Sequence, residues 1–110
     1  MTTPRRRLIA RAPASAGMLA AAVFAAAPAH AADVQRGAEL YRLHCTSCHG
    51  AGGRPVLPGA PDFTQPITLL KPDLRLLDAL KAGRGAMPAY AGLLRDAELL
   101  DLVAHLRTLR

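Results

Sequence analysis

Cysteine and methionine are scarce in this sequence of 110 residues: there are two cysteines, three methionines and no tryptophan. Both cysteines stand in one run, His44-Cys45-Thr46-Ser47-Cys48-His49-Gly50. Without a second pair, cysteine alone cannot close the tetrahedron of a structural zinc site. A disulfide between residues three apart would strain the bridge geometry. The strand and helix pattern that should accompany a thioredoxin-like redox pair is also missing. No catalytic base, nucleophile or second metal cluster is evident beside the run, which leaves few uses for two thiols at this spacing.

The residue that follows the second cysteine narrows the choice. Cys45 and Cys48 lie about one helical turn apart, so both sulfurs can reach one edge of a flat macrocycle while His49 rises beneath its metal. That is the spacing of a c-type haem attachment, with two thioethers and an adjacent imidazole ligand.

The first 31 residues read as a cleavable secretory signal. Arg5, Arg6, Arg7 and Arg11 form a basic start, an alanine-rich apolar stretch runs from Ala12 to Ala27, and Ala29-His30-Ala31 is a small-x-small cleavage pattern. A retained membrane anchor is the competing reading, but the apolar part is short, mostly alanine, and interrupted by Pro13 and Ser15. Removing 31 of 110 residues leaves 79, one small domain spanning 32–110. Four of the 14 basic residues leave with the signal and all 8 acidic ones stay, so 10 basic residues face 8 acidic ones and the net charge falls from +6 to +2. The basic character of the whole chain therefore says nothing of nucleic acid. A domain this short buries a marginal core and needs a staple, which a covalent haem would supply.

Downstream, Asp33 can cap a helix containing Val34, Ala38, Leu40 and Tyr41, with Gly37 and Tyr41 sharing a packing face. From Gly50 to Pro72, four glycines and five prolines exclude a long helix or a central strand and predict a compact loop. Val56, Leu57, Phe63, Ile67 and Leu69 are its expected apolar contacts to a haem edge. One carbonyl there, of Pro58 or Pro61, should accept the Nδ1 proton of His49. Pro72 or Asp73 opens a second helix with Leu74, Leu77, Leu80 and Lys81 at helical spacing, and Gly83 can end it. Met87 follows, the one methionine beyond the signal. Held between Gly85 and Pro88 outside any apolar stripe, it has little reason to be core filler, and its thioether suits the sixth position of haem iron. His44 sits too close to the attachment run to cross to the far face, and His105 reads as a packing or surface residue. Asp96 begins or caps a last helix with Leu99, Leu102, Val103 and Leu106 on one face, expected to cross the first helix near Gly37 and Tyr41. Arg107 and Arg110 at its end favour the negative pole of the dipole.

These residues resemble a class I, single-haem bacterial cytochrome c over essentially all of the chain beyond the signal. The resemblance rests on Cys45-Thr46-Ser47-Cys48-His49-Gly50, on Ala60-Pro61-Asp62-Phe63, on Met87-Pro88-Ala89-Tyr90 and on Leu102-Val103-Ala104-His105-Leu106. It implies an all-α, haem-enclosing fold with one covalent haem c and His49 and Met87 as axial metal ligands, and it favours Pro61 as the carbonyl that orients His49. It also implies a periplasmic one-electron carrier, not an enzyme, serving periplasmic redox proteins as donor and acceptor and meeting the membrane only through them. A dedicated haem subunit of a larger periplasmic oxidoreductase is the alternative. The chain departs from the family at His105, where the last helix often carries an aromatic residue, so the contact with Gly37 and Tyr41 is expected to be less apolar.

Overall fold

In the computed structural model, residues 29–110 are described continuously, with isolated positions before them. Apart from those positions and residues 29–31, the stretch expected to be the signal lies outside the described residues. Among the described residues no helix is long and apolar enough to cross a membrane.

The fold is all-α. Helix α1 spans Val34–His44 and starts where the Asp33 backbone is extended, at φ −98° and ψ 106°. The Asp33 carboxylate accepts from the N–H groups of Gln35 and Arg36 at 2.9 and 3.1 Å, satisfying two of the donors that a helix leaves free at its start. A single turn, α2 at Thr46–His49, follows directly. The glycine and proline segment after it holds only a 3₁₀ turn at Pro66–Leu69. Helix α3 runs Asp73–Ala82 between Pro72 and Gly83, and α4 runs Asp96–Leu106. The described residues form no sheet, only isolated bridges of Arg84 with Met87 and of Ala91 with Leu94.

The first and last helices pack together as expected. A Cβ at Gly37 would overlap the Asp101 carbonyl oxygen and lie 2.9 Å from the His105 Cβ, so the absence of a side chain there lets the two backbones touch. Beneath that contact Tyr41, Leu99, Leu102 and Val103 are fully buried, and each buried aliphatic side chain contributes about 1.5–3 kcal/mol. His105 occupies the position where an aromatic was expected and still packs on the Tyr41 ring, at 5.1 Å between centroids. Polar bonds close the edge of the same interface. Asp101 accepts the Asp33 N–H at 2.7 Å, and Arg36 pairs with Glu98 at 2.5 Å.

Several apolar side chains lie elsewhere than expected. Leu77 and Leu80 of α3 are buried, but Leu74 is 67 % exposed, because only one face of this ten-residue helix meets α4. Val56 and Ile67 also point to solvent, and Leu57 is about two-fifths exposed. Leu69 is buried against the core and not at a cavity wall. Arg107 does more than face a helix pole. Its guanidinium donates to the Leu69 and Lys71 carbonyls and pairs with Asp73 at 2.7 Å, tying the end of α4 to the start of α3.

Candidate functional site

The site begins with the break between α1 and α2. Cys45 leaves helical geometry at φ −120° and ψ −28°, and its N–H still bonds the Tyr41 carbonyl at 2.9 Å. Cys48 and His49 then fall on the single turn of α2. Gly50 stops that turn at φ 74°, a backbone conformation in which a side chain would be strained. The buried Tyr41 hydroxyl donates to the Gly50 carbonyl at 2.8 Å, which fastens the turn to α1. Burial pushes the Tyr41 pKa up to about 12, with the nearby Cys45 adding to the shift, so this hydroxyl keeps its proton and remains a donor.

The loop hangs from the same turn. The Val56 and Leu57 N–H groups donate to the Cys48 carbonyl at 2.9 and 3.0 Å, and Phe63 donates to the Gly53 carbonyl at 2.9 Å. The Asp62 carboxylate accepts from the Thr64 N–H and hydroxyl at 2.8 and 2.6 Å, a local bond pattern that turns the chain at this point. Phe63 is thereby laid on His49, with ring centroids 4.5 Å apart and planes 20° from parallel.

These elements enclose a cavity of about 500 Å³, within the range of cofactor sites. Cys45, Cys48 and His49 line it from α2 and its approach, Phe63 and Pro61 from the loop, Met87 and Tyr90 from the segment after α3, and Leu102 and Leu106 from α4. All four residues singled out by the sequence for cofactor binding thus border one space, whereas His105 does not. His44 borders it as well, but from the attachment side. Both cysteines are free thiols. Burial pushes the Cys45 pKa up to about 11, helped by Cys48.

His49 is the informative side chain. It is buried, and its Nδ1 has no hydrogen bond of normal length and angle. Desolvation lowers its pKa, while the Pro61 carbonyl lies near enough to act as an acceptor and partly offset that effect. An imidazole kept neutral by burial has a nitrogen lone pair to offer a metal, and a nearby acceptor is the usual device for orienting it. Of the two prolines open from the residue pattern, Pro61 is the one placed to act.

Met87 is held by its backbone. Arg84 and Met87 exchange N–H to carbonyl bonds at 3.0 and 2.8 Å. A Cβ on Gly83, at φ 70°, would lie 2.7 Å from the Met87 carbonyl oxygen, so only glycine permits this return. The donor set therefore fits a haem c: two free thiols, a buried imidazole beside the Pro61 carbonyl, and a thioether, all on a mostly apolar cavity. Among the described residues no three His, Cys, Asp or Glu side chains gather as an ion site.

The family described as cytochrome c oxidase, cbb3-type, subunit III matches residues 32–106. The chain belongs to this family of c-type cytochromes. Relatives within the c-type cytochromes include cytochrome c6 of Picosynechococcus sp., 33 % identical over 96 residues that cover 78 % of this chain and 82 % of that one. Cytochrome c6 of Synechococcus sp. is 32 % identical over 82 residues, 71 % of each chain. Cytochrome c6 of Nostoc sp. is 32 % identical over 87 residues, 71 % of this chain and 72 % of the relative.

Sequence reasoning named Tyr90 only as part of a motif and did not foresee its contacts. Its hydroxyl donates to the His44 carbonyl at 3.0 Å. The available signal was an aromatic three residues after the methionine, which carries no direction by itself.

Proposed function

We propose that the chain is a periplasmic one-electron carrier of the single-haem class I type. It holds one covalent haem c through thioethers at Cys45 and Cys48, with His49 and Met87 as axial ligands. The observation that carries this reading is the convergence of those four side chains on one apolar cavity. Kinship with cytochromes c6 supports an electron-transfer role and not an enzymatic one.

The bound group supplies reversible one-electron chemistry at iron. The protein's part is to hold it in place. Cys45 and Cys48 fix it covalently to the α1–α2 junction. His49 presents a neutral imidazole, set by the Phe63 stack and the Pro61 carbonyl. The Met87 thioether, on a segment pinned at Gly83 and Arg84, takes the position a substrate would otherwise need. Leu102 and Leu106 exclude water, and that burial tunes the potential. The leader over residues 1–31 directs export and is removed, so donor and acceptor are periplasmic redox proteins and the membrane is met only through them. Nucleic acid is not a partner.

A second reading has its own support. The family's description names an oxidase subunit, and Ile67, Leu70 and Leu74 are exposed apolar side chains close in sequence. A dedicated haem subunit of a larger periplasmic oxidoreductase would use such a surface to stay bound. A partner that copurifies through high salt favours this alternative, and a monomer that exchanges electrons with several soluble partners favours the free carrier.

The test is the visible spectrum of the exported protein, made with cytochrome c maturation factors. We expect sharp low-spin ferrous bands that survive acid-acetone extraction, together with the weak long-wavelength ferric band of sulfur ligation. Met87→Ala should abolish that ferric band and admit carbon monoxide to the ferrous protein while leaving haem attached. A protein that emerges without haem overturns the proposal.

A further inference from the structure

Met87 and the attachment run come from segments about forty residues apart, and something must set the gap between them. From Gly83 to Ala91 the chain is tied back to the end of α3: the Tyr90 N–H bonds the Leu80 carbonyl at 3.0 Å, the Ala91 N–H bonds that of Lys81 at 3.3 Å, and Arg84 and Met87 bond each other. None of these bonds reaches the attachment run. Among the described residues a single hydrogen bond does so, from the Tyr90 hydroxyl to the His44 carbonyl, across 46 residues of sequence.

Tyr90 is suited to that task. It is 6 % exposed, lines the cavity, and meets the His44 ring edge-on at 5.9 Å and 73°. Its anchor is the backbone of the residue just before Cys45, and its own backbone lies three residues after Met87. A rigid ring with bonds at both ends therefore spans from the Met87 segment to the root of the attachment run. The His44 carbonyl has no hydrogen bond from any other side chain among the described residues, so the hydroxyl gains a partner there that nothing else contests.

We infer that Tyr90 is a positioning residue for Met87. Its hydroxyl latches the methionine segment to the attachment run and so sets how readily another ligand displaces the thioether. This rests on the haem reading given under Proposed function. If a small ligand were to take the place of Met87, the methionine segment would have to move away from the attachment run, and the Tyr90–His44 bond would oppose that movement. A variant without the hydroxyl gives up that bond beforehand, so the movement costs it less.

The experiment uses the loaded ferric protein, wild type and Tyr90→Phe, titrated with free imidazole while the long-wavelength sulfur band is followed. Phenylalanine keeps the ring, so the core contacts of Tyr90 remain. Losing one ordinary hydrogen bond should tighten apparent imidazole binding about fivefold. Arg36→Gln serves as control. It weakens the α1–α4 edge away from the cavity, and it should lower the thermal midpoint without moving the imidazole affinity. Equal imidazole affinity in Tyr90→Phe and wild type, with the sulfur band present in both, overturns the inference and leaves the haem reading intact. A wild-type protein that lacks the sulfur band overturns both.

Discussion

Arg107 gathers the Leu69 and Lys71 carbonyls and the Asp73 carboxylate around one guanidinium. Its planar fork serves several acceptors at once, which a lysine ammonium cannot match in geometry. Replacing it by methionine keeps the stem but leaves the Leu69 carbonyl, in a partly buried setting, without its donor. We expect Arg107→Met to cost about 1–3 kcal/mol in chemical denaturation, and Arg107→Lys to recover only part of it. The sequence located Arg107 at a helix end, where a charge interacts with the dipole, but it carries no sign of a partner some 36 residues away in a loop without periodicity. His49 was the opposite case. Its role as a candidate ligand was legible from two cysteines and one spacing, because that chemistry is local. Its stack on Phe63 was not legible, since the loop reaches His49 through bonds to Cys48 and Gly53 that no pattern of side chains announces.

At the scale of elements, the helices were easy to read and the long loop was not. Asp33, Pro72, Gly83 and Asp96 mark ends that the structure places within a residue, because capping is short-range chemistry. The faces were harder to read. Leu74 shares the spacing of Leu77 and Leu80 yet lies in solvent, since periodicity gives a stripe but not how much of it a neighbour will cover. Between Gly50 and Pro72 the composition indicated a compact loop correctly, while only Leu57 and Phe63 of its five apolar candidates reach the cavity. The decisive contact between elements is at Gly37. A methyl group there would collide with the Asp101 carbonyl, which belongs to backbone and cannot rotate away. Gly37→Ala ordinarily favours a helix by about 1 kcal/mol. We expect the opposite sign here, a loss of about 1–3 kcal/mol from overpacking, read as a lower midpoint in urea for the haem-loaded protein.

For the whole molecule, charge is spent on joining the two ends of the domain. Glu98, 15 % exposed at its side chain, accepts the Arg95 N–H at 2.9 Å and pairs with Arg95 and Arg36. The Arg95 hydrogen bonds, and then Arg36, hold its pKa down at about 2 against an ordinary 4.5. A carboxylate whose pKa is depressed on folding stabilises the folded state above its unfolded value, and that contribution is lost as the proton binds. The Glu98 share should therefore be intact above pH 4.5 and fade between about pH 4.5 and 2. Glu98→Gln should lower the melting temperature at pH 7 and flatten the fall in stability across that acid window. An unchanged acid slope would show that the pair contributes nothing.

The α1–α4 contact also has a consequence in time. Its bonds join residues 62 and 68 positions apart, and the Leu102 and Leu106 wall of the cavity belongs to the final helix. A polypeptide is made from its N-terminus, so Cys45 and Cys48 are made well before Leu102 and Leu106, which line the same cavity. The cavity is therefore completed by the last element of the chain to be made.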